Sequence, residues 1–241
     1  MRVLVRPFPP TADRLAVPGG AVHVWQAWLD APPVPAADLA AALTPDERGR
    51  AARFKVPRVG ERFARGRGLL RVLLGRYLGR PPAAVTIGTA PDGKPVVAAG
   101  GVEFNVSHTG GLAVFAVGDR PVGVDVEEVR SMPTMDALVE RFFAAAEQEQ
   151  YRGLSAGLRA ATFWRGWTCK EAVLKGIGCG TRDLDRCVVD LDPRRPPRVV
   201  GPPETAARWA VAAWEPAPGF VAAVAAAGDD ELRLVWQGEP A

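Results

Sequence analysis

Val122-Gly123-Val124-Asp125-Val126-Glu127 alternates valine with a small or acidic residue over six positions. Strand side chains repeat with period two, so the valines anchor one face while Asp125 and Glu127 leave the other together. Two carboxylates about 4 Å apart repel by roughly 4 kcal/mol at an effective dielectric of about 20. The pair asks for a positive charge between its members, unless the strand is an edge with its acids in solvent. Further along, Trp167-Thr168-Cys169-Lys170-Glu171-Ala172-Val173-Leu174-Lys175 offers a third carboxylate and two lysines on a helix. Mg²⁺ takes hard oxygen ligands, commonly a few carboxylates completed by water and phosphate. The two stretches together suggest a divalent metal beside an anionic, phosphorylated ligand.

On that helix, at about 100° per residue, Phe163, Trp167, Leu174 and Ile177 make one apolar stripe, and Lys170 falls inside it. An ammonium facing a core needs an anion or a route to solvent, and a phosphate in a cleft would supply the anion. Glu171 and Lys175 lie one turn apart at the stripe's edge; alone they would be a surface pair worth a few tenths of a kcal/mol. The Gly176-Ile177-Gly178-Cys179-Gly180 run follows this helix instead of opening one, so it reads as a helix stop and hinge, not a phosphate loop. Walker, GxSxG and dinucleotide patterns are missing from the sequence.

Upstream, an amphipathic helix is expected from about Arg62 to Leu78, stopped by Gly79 and Pro81-Pro82. Pro91-Asp92-Gly93-Lys94-Pro95 reads as a tight turn. Phe104-Asn105-Val106-Ser107-His108, a Thr-Gly-Gly turn and an apolar strand from Leu112 to Val117 follow. His23 reads as a structural core histidine, whereas His108 precedes a glycine-rich turn with free backbone N–H groups. The second half repeats the order: an acid-rich helical region over 134–151, the helix of about 161–176, a strand over 187–191, a proline-rich loop over 193–203 and a hairpin from Arg208 to Ala225. The pattern predicts an α+β chain of two similar α/β lobes in a pseudo-twofold arrangement, the active site in the cleft between them. Residues 1–118 form the basic N-terminal lobe and 119–241 the C-terminal lobe.

The net charge of +3 conceals a segregation. Residues 44–94 hold 12 Lys or Arg against 4 Asp or Glu, a net of +8, while 119–151 hold 3 against 8, a net of −5. A solvated surface explains either run alone; together they resemble a polyphosphate cradle facing a metal-binding edge. The basic residues lack interleaved aromatics, which disfavours a nucleic-acid partner. No apolar run approaches about 18 residues, so no membrane span is expected. Met1 to Pro7 lacks a signal-peptide core, which favours the cytoplasm. Cys169, Cys179 and Cys187 are odd in number and lack CxxC spacing, against zinc or a disulfide framework.

Phe104 to His108, Gly123 to Glu127 and Trp167 to Lys175, in that order and spacing, resemble the signature set of the 4′-phosphopantetheinyl transferases, of the larger two-lobe, surfactin-synthetase-activating type. Gly93-Lys94-Pro95 resembles a further motif, and Arg141-Phe142-Phe143 through Glu147 the family's connecting helix. The resemblance implies transfer of the phosphopantetheine arm of coenzyme A to a serine of an apo acyl or peptidyl carrier protein, with release of adenosine 3′,5′-bisphosphate. Asp125, Glu127 and Glu171 would hold Mg²⁺, or Mn²⁺, on the pyrophosphate. Catalysis would fall to Asp125, Glu171 and Lys175, with Glu171 as base for the serine and Lys175 at the leaving phosphate; Lys170 would bind a pyrophosphate oxygen. The 3′-phosphate would meet Arg50, Arg62 and His108, with Arg65 or Arg67 as substitutes, and Gly93, Lys94, Pro95, Ser107 and Thr109 would lie along the nucleotide. A carrier of polyketide, peptide-synthetase or fatty-acid synthesis would dock near 129–143, on Met132, Met135, Leu138 and Phe143. By analogy of size the enzyme would be a cytoplasmic monomer of secondary metabolism. The rivals are a coenzyme A- or carrier-binding module without turnover, and a metal-dependent phosphodiesterase.

Overall fold

The computed structural model describes the chain except residues 9–12, 17–18, 99, 180, 229–230 and 237–241. Helix and sheet are mixed. Strands β1 (Arg2–Pro7) and β2 (Ala21–Trp28) lead into helices α1 (Ala36–Ala42), α2 (Pro45–Ala52) and α3 (Pro57–Leu78). A small hairpin of β3 (Ile87–Thr89) and β4 (Pro95–Val97) precedes β5 (Glu103–Thr109) and β6 (Leu112–Gly118). The order then recurs: β7 (Val122–Glu128), helices α4 (Met135–Phe142), α5 (Ala145–Arg152) and α6 (Ala156–Ile177), a small pair β8 (Val188–Val189) and β9 (Val199–Gly201), helix α7 (Pro203–Ala206), β10 (Trp209–Trp214) and β11 (Phe220–Ala227). Strand β12 (Arg233–Trp236) follows.

The first sheet runs β12-β1-β2-β6-β5 and the second β10-β11-β7. β12 and β2 flank β1 in parallel, and the other pairs of both sheets are antiparallel. A division of the chain at 118/119 therefore leaves the first sheet with one strand drawn from the second segment. Three apolar clusters stack between the layers. One joins α3 to the first sheet through Leu69, Leu70, Leu73, Leu74, Trp25 and Phe115. The middle one lies between the sheets, where Val122, Val124 and Val126 meet Val22, Val24 and Val114. The last joins α6 to the second sheet through Phe163, Val173, Leu174, Ala223 and Ala225. The valine alternation of β7 thus works as expected: its odd-numbered positions are left to face α6.

Both long helices end in a left-handed glycine, Gly79 at φ 64° and Gly178 at φ 88°, each closing a backbone bond to the preceding turn. Such a cap needs no Cβ at the turn's crowded position. Gly180 lies outside the described residues. Gly123 serves a different end. A Cβ there would stand 1.9 Å from the Ala172 carbonyl oxygen and 2.4 Å from the Gly176 nitrogen, so only glycine lets the last turns of α6 lie directly on β7.

Two expectations change. The acid-rich region of 134–151 is two helices, because Phe143 and Ala144 are extended and Glu147 bonds back to the Ala144 N–H at 2.7 Å, starting α5 afresh. The strand expected over 187–191 shrinks to Val188–Val189, as Cys187 still bonds to the turn before it and the pairing with β9 shifts register between Val188 and Val189.

Candidate functional site

β5 is the last strand of the first sheet and β7 the last of the second, and their free edges meet. On β5, Asn105, Ser107 and Thr109 share one side by the period of two, and each reaches across the seam. Asn105 Oδ1 accepts the Val124 N–H at 3.0 Å. Ser107 donates to Asp125 Oδ1 at 2.8 Å, and the Thr109 hydroxyl bonds Glu127. From above, α6 lowers Lys175 onto the same spot: its Nζ is 2.6 Å from Asp125 Oδ1 and 3.1 Å from Ser107 Oγ. The close approach that Gly123 permits sets this height.

Asp125 is 3% exposed, and its second oxygen, Oδ2, is buried with no hydrogen-bond partner among the described residues. Glu171, 7% exposed, is pushed up to about 7, first by burial and then by the charge of Asp125, with Lys175 opposing and Glu127 adding. Glu127 is raised for the same reasons, burial first and Asp125 second. Burial and the charge of Asp125 thus disfavour the ionisation of both Glu171 and Glu127, the electrostatic signature of a place that a cation would relieve. No three His, Cys, Asp or Glu side chains are yet gathered tightly enough to form a metal cluster among the described residues. The acids are neighbours in field, not a closed cage.

His108 is held below the usual imidazole range by burial, then by Lys175 and also Arg62, which places those two cations within its field. Arg62 itself grips Asp30 with Nε at 2.8 Å and Nη2 at 2.5 Å, and Arg58 joins at 2.6 Å. Arg50 is exposed and lies 4.8 Å from the Phe63 ring centroid. Of the substitutes, Arg65 bonds the Leu29 carbonyl and Arg67 is tied to Glu47 at 2.5 Å. Gly93, at φ 90°, makes the turn into β4, which Pro95 opens. Lys94 reaches back across the seam to the carbonyls of Val122 and Gly176, at 3.2 and 3.1 Å. A cavity of about 280 Å³ opens beside Gly93, Lys94, Pro95, Asn105 and Lys175.

Lys170 corrects the sequence reading. It is 0% exposed, its Nζ lies 2.5 Å from Glu147 Oε2, and it stands 4.7 Å from the Phe143 ring centroid. The anion it required is Glu147, not a phosphate. Glu147 also accepts the N–H of Val189 and of Ala144, so it is spent on holding α5, α6 and β8 together. Arg71 on α3 makes the corresponding bond to Glu47, at 2.6 Å, and Glu47 likewise caps its own helix at Thr44. The proposed carrier face is corrected in part: Met135 and Phe143 are core residues, and Met132 and Leu138 pack half-buried against the same core. Sequence reasoning missed Asp30, which nothing in its neighbourhood singles out, and gave no role to Asn105, whose period-two relation to Ser107 was visible.

A cluster of acids beside lysine, histidine and arginine, on the seam of an α+β fold, suits chemistry at a phosphorylated substrate. A family model described as the 4′-phosphopantetheinyl transferase superfamily matches residues 121–225, and one described as 4′-phosphopantetheinyl transferase, N-terminal, matches 31–119. The chain is 39% identical over 232 residues to the 4′-phosphopantetheinyl transferase HetI of Nostoc sp., covering 94% of this chain and 96% of the relative. It is 35% identical over 136 residues to the 4′-phosphopantetheinyl transferase psf-1 of Bacillus pumilus, covering 56% and 58%. The human L-aminoadipate-semialdehyde dehydrogenase-phosphopantetheinyl transferase is 29% identical over 166 residues, covering 63% of this chain and 54% of the relative. The chain belongs to the 4′-phosphopantetheinyl transferase superfamily. Its reaction is the transfer of phosphopantetheine from coenzyme A to a carrier protein. Among the described residues no helix is long and apolar enough to cross a membrane.

Proposed function

We propose that this transfer depends on Mg²⁺, with Mn²⁺ as a substitute, and runs in a cleft between two pseudo-twofold lobes, 1–118 and 119–241. The observation that carries the reading is the convergence of Asp125 from β7 with Glu171 and Lys175 from α6 at the β5–β7 seam. The recurring order of strand, three helices, small hairpin and two strands supports the two lobes. Asp125, Glu127 and Glu171 would hold the metal, and the unpartnered Asp125 Oδ2 fits a first oxygen ligand. When bound, the ion would neutralise the pyrophosphate and draw the three acids together.

The serine Oγ of the carrier bonds to the phosphorus next to the pantetheine arm, and the pyrophosphate bridge to adenosine 3′,5′-bisphosphate breaks. Glu171 takes the serine proton; its raised proton affinity is the right sense for that task. The Lys175 ammonium offsets the charge on the departing phosphate or protonates it. Arg62 and His108 face the 3′-phosphate, which competes with Asp30 for Arg62, with Arg50 further out. Lys94, Gly93 and Pro95 border the cavity that takes the rest of the nucleotide. The partner is an apo acyl or peptidyl carrier protein of polyketide, peptide-synthetase or fatty-acid synthesis, and the enzyme works as a cytoplasmic monomer. In the test, purified protein, Mg²⁺ and coenzyme A are incubated with several apo carriers and intact masses recorded. A gain of about 340 Da on a carrier, abolished by chelator and restored by Mg²⁺, is expected; a gain indifferent to chelator removes the metal from the reading.

A further inference from the structure

Asp30 lies just beyond β2, outside the acid cluster of the seam, and its carboxylate is taken up by two cations of α3. Arg62 grips it along one edge, Nε to Oδ1 at 2.8 Å and Nη2 to Oδ2 at 2.5 Å, and Arg58 adds Nη2 to Oδ2 at 2.6 Å. After burial and Lys175, Arg62 also lowers His108, so the ion pair borders the subsite assigned above to the 3′-phosphate. We propose that Asp30 is a resident counter-anion of that subsite, holding Arg62 and Arg58 between turnovers, yielding them to coenzyme A and retaking them as adenosine 3′,5′-bisphosphate leaves. The role rests on the function proposed above.

The geometry suits exchange, not permanent pairing. The backbone around Asp30 is pinned: the Leu29 N–H bonds the Gly111 carbonyl at 2.7 Å, and Arg65 Nη1 donates to the Leu29 and Asp30 carbonyls at 2.9 and 3.4 Å. The Asp30 side chain is 39% exposed, so turning its two torsions returns the carboxylate to water without stranding a buried charge. Glu47 is the contrast, since its side chain is 10% exposed, holds Arg67 and Arg71 together and caps its own helix. Gly111 keeps the place open: a Cβ there would stand 2.7 Å from Arg62 Nη2 and 3.2 Å from Asp30 Oδ2. The incoming group wins on charge, because a phosphate monoester carries about −1.5 to −2 at pH 7 and three acceptor oxygens, whereas Asp30 offers one charge and two oxygens. Arg62, then Arg58, hold the Asp30 carboxyl well below the usual carboxylate range, so it comes back ionised. An exposed ion pair is worth about 1.4- to 5-fold in an equilibrium. Breaking the pairs to Arg58 and Arg62 therefore tempers the hold on every ligand that bears the 3′-phosphate, the product included.

Asp30→Asn keeps the shape of the side chain and removes its charge. Calorimetry without metal gives the affinities of coenzyme A, dephospho-coenzyme A and adenosine 3′,5′-bisphosphate for the parent, for Asp30→Asn and for Arg62→Ala. In Asp30→Asn, coenzyme A and the bisphosphate are expected to bind about 2- to 25-fold tighter, with dephospho-coenzyme A within about twofold of the parent. The bisphosphate should then inhibit transfer at correspondingly lower concentration. Retained dephospho-coenzyme A binding shows that the variant is folded. Weaker coenzyme A binding, meaning that Asp30 orients Arg62 for the ligand, overturns the proposal, and so does an unaltered affinity. Arg62→Ala separates this result from the functional reading. If it leaves the ratio of coenzyme A to dephospho-coenzyme A affinity unchanged, the 3′-phosphate is not at Arg62, and the assigned subsite falls together with the role of Asp30. If the ratio collapses while Asp30→Asn binds coenzyme A no tighter, the subsite stands and Asp30 alone is ruled out.

Discussion

Lys170 and Lys175, one turn and a little apart on α6, show how far neighbouring charges of one motif diverge in role. Lys175 is partly open and meets Asp125, whereas Lys170 is sealed against Glu147 and Phe143. Burial pushes the Lys170 ammonium toward neutrality, and the ion pair with Glu147 opposes it. Removing one partner of such a pair leaves the other charged and buried, which costs about 3–5 kcal/mol. Lys170→Met is therefore expected to lose about that much stability in urea unfolding, yet to bind coenzyme A within about twofold of the parent once folded. A large loss of affinity in the folded variant would return Lys170 to the phosphate. The sequence showed that Lys170 needed an anion, because its place in the apolar stripe was legible. It did not show which, since Glu147 acts from a separate helix whose start, at Ala144, has no Ser or Thr to announce a capping box.

At the scale of elements, the decisive contact is α6 on β7. Each was legible because its period is local: two for the valines, about 3.6 for Phe163, Trp167 and Leu174. Their distance was not legible, since it depends on the absent Cβ of Gly123 meeting the backbone of Ala172 and Gly176. Gly123→Ala must push the helix outward, and overpacking of this kind costs about 1–3 kcal/mol. Because Glu171 and Lys175 ride on that helix, activity is expected to fall by a larger factor than stability alone explains. Parallel measurement of thermal midpoint and kcat checks this; proportionate losses would show that the helix height is not critical. The β1–β2–β12 pairing escaped the sequence altogether, because parallel neighbours joined over long separations leave no turn signature between them.

For the whole molecule, the middle apolar cluster matters most, since both sheets contribute to it. A shared core makes the halves unfold together, so far-ultraviolet dichroism and tryptophan fluorescence should report one coincident urea transition. Two separated transitions would show that the lobes stand alone. The same titration carries a pH signature from His23, which the sequence marked as a core residue. Burial, with Arg6 nearby, lowers it from 6.5 to about 4, and its ring nitrogen bonds Tyr77 at 2.7 Å. The unfolded chain takes up that proton first, so this contribution is complete above about 6.5 and is lost as pH falls toward about 4. His23→Gln should flatten that part of the pH dependence. Finally, β12 lies beside β1 although some 230 positions separate Met1 from its partner Glu231. In chain order, the strand that covers the outer edge of β1 is made more than 200 positions after β1 itself. Until β12 is made, that edge is an unpaired template open to foreign chains, a hazard built into the order of the strands.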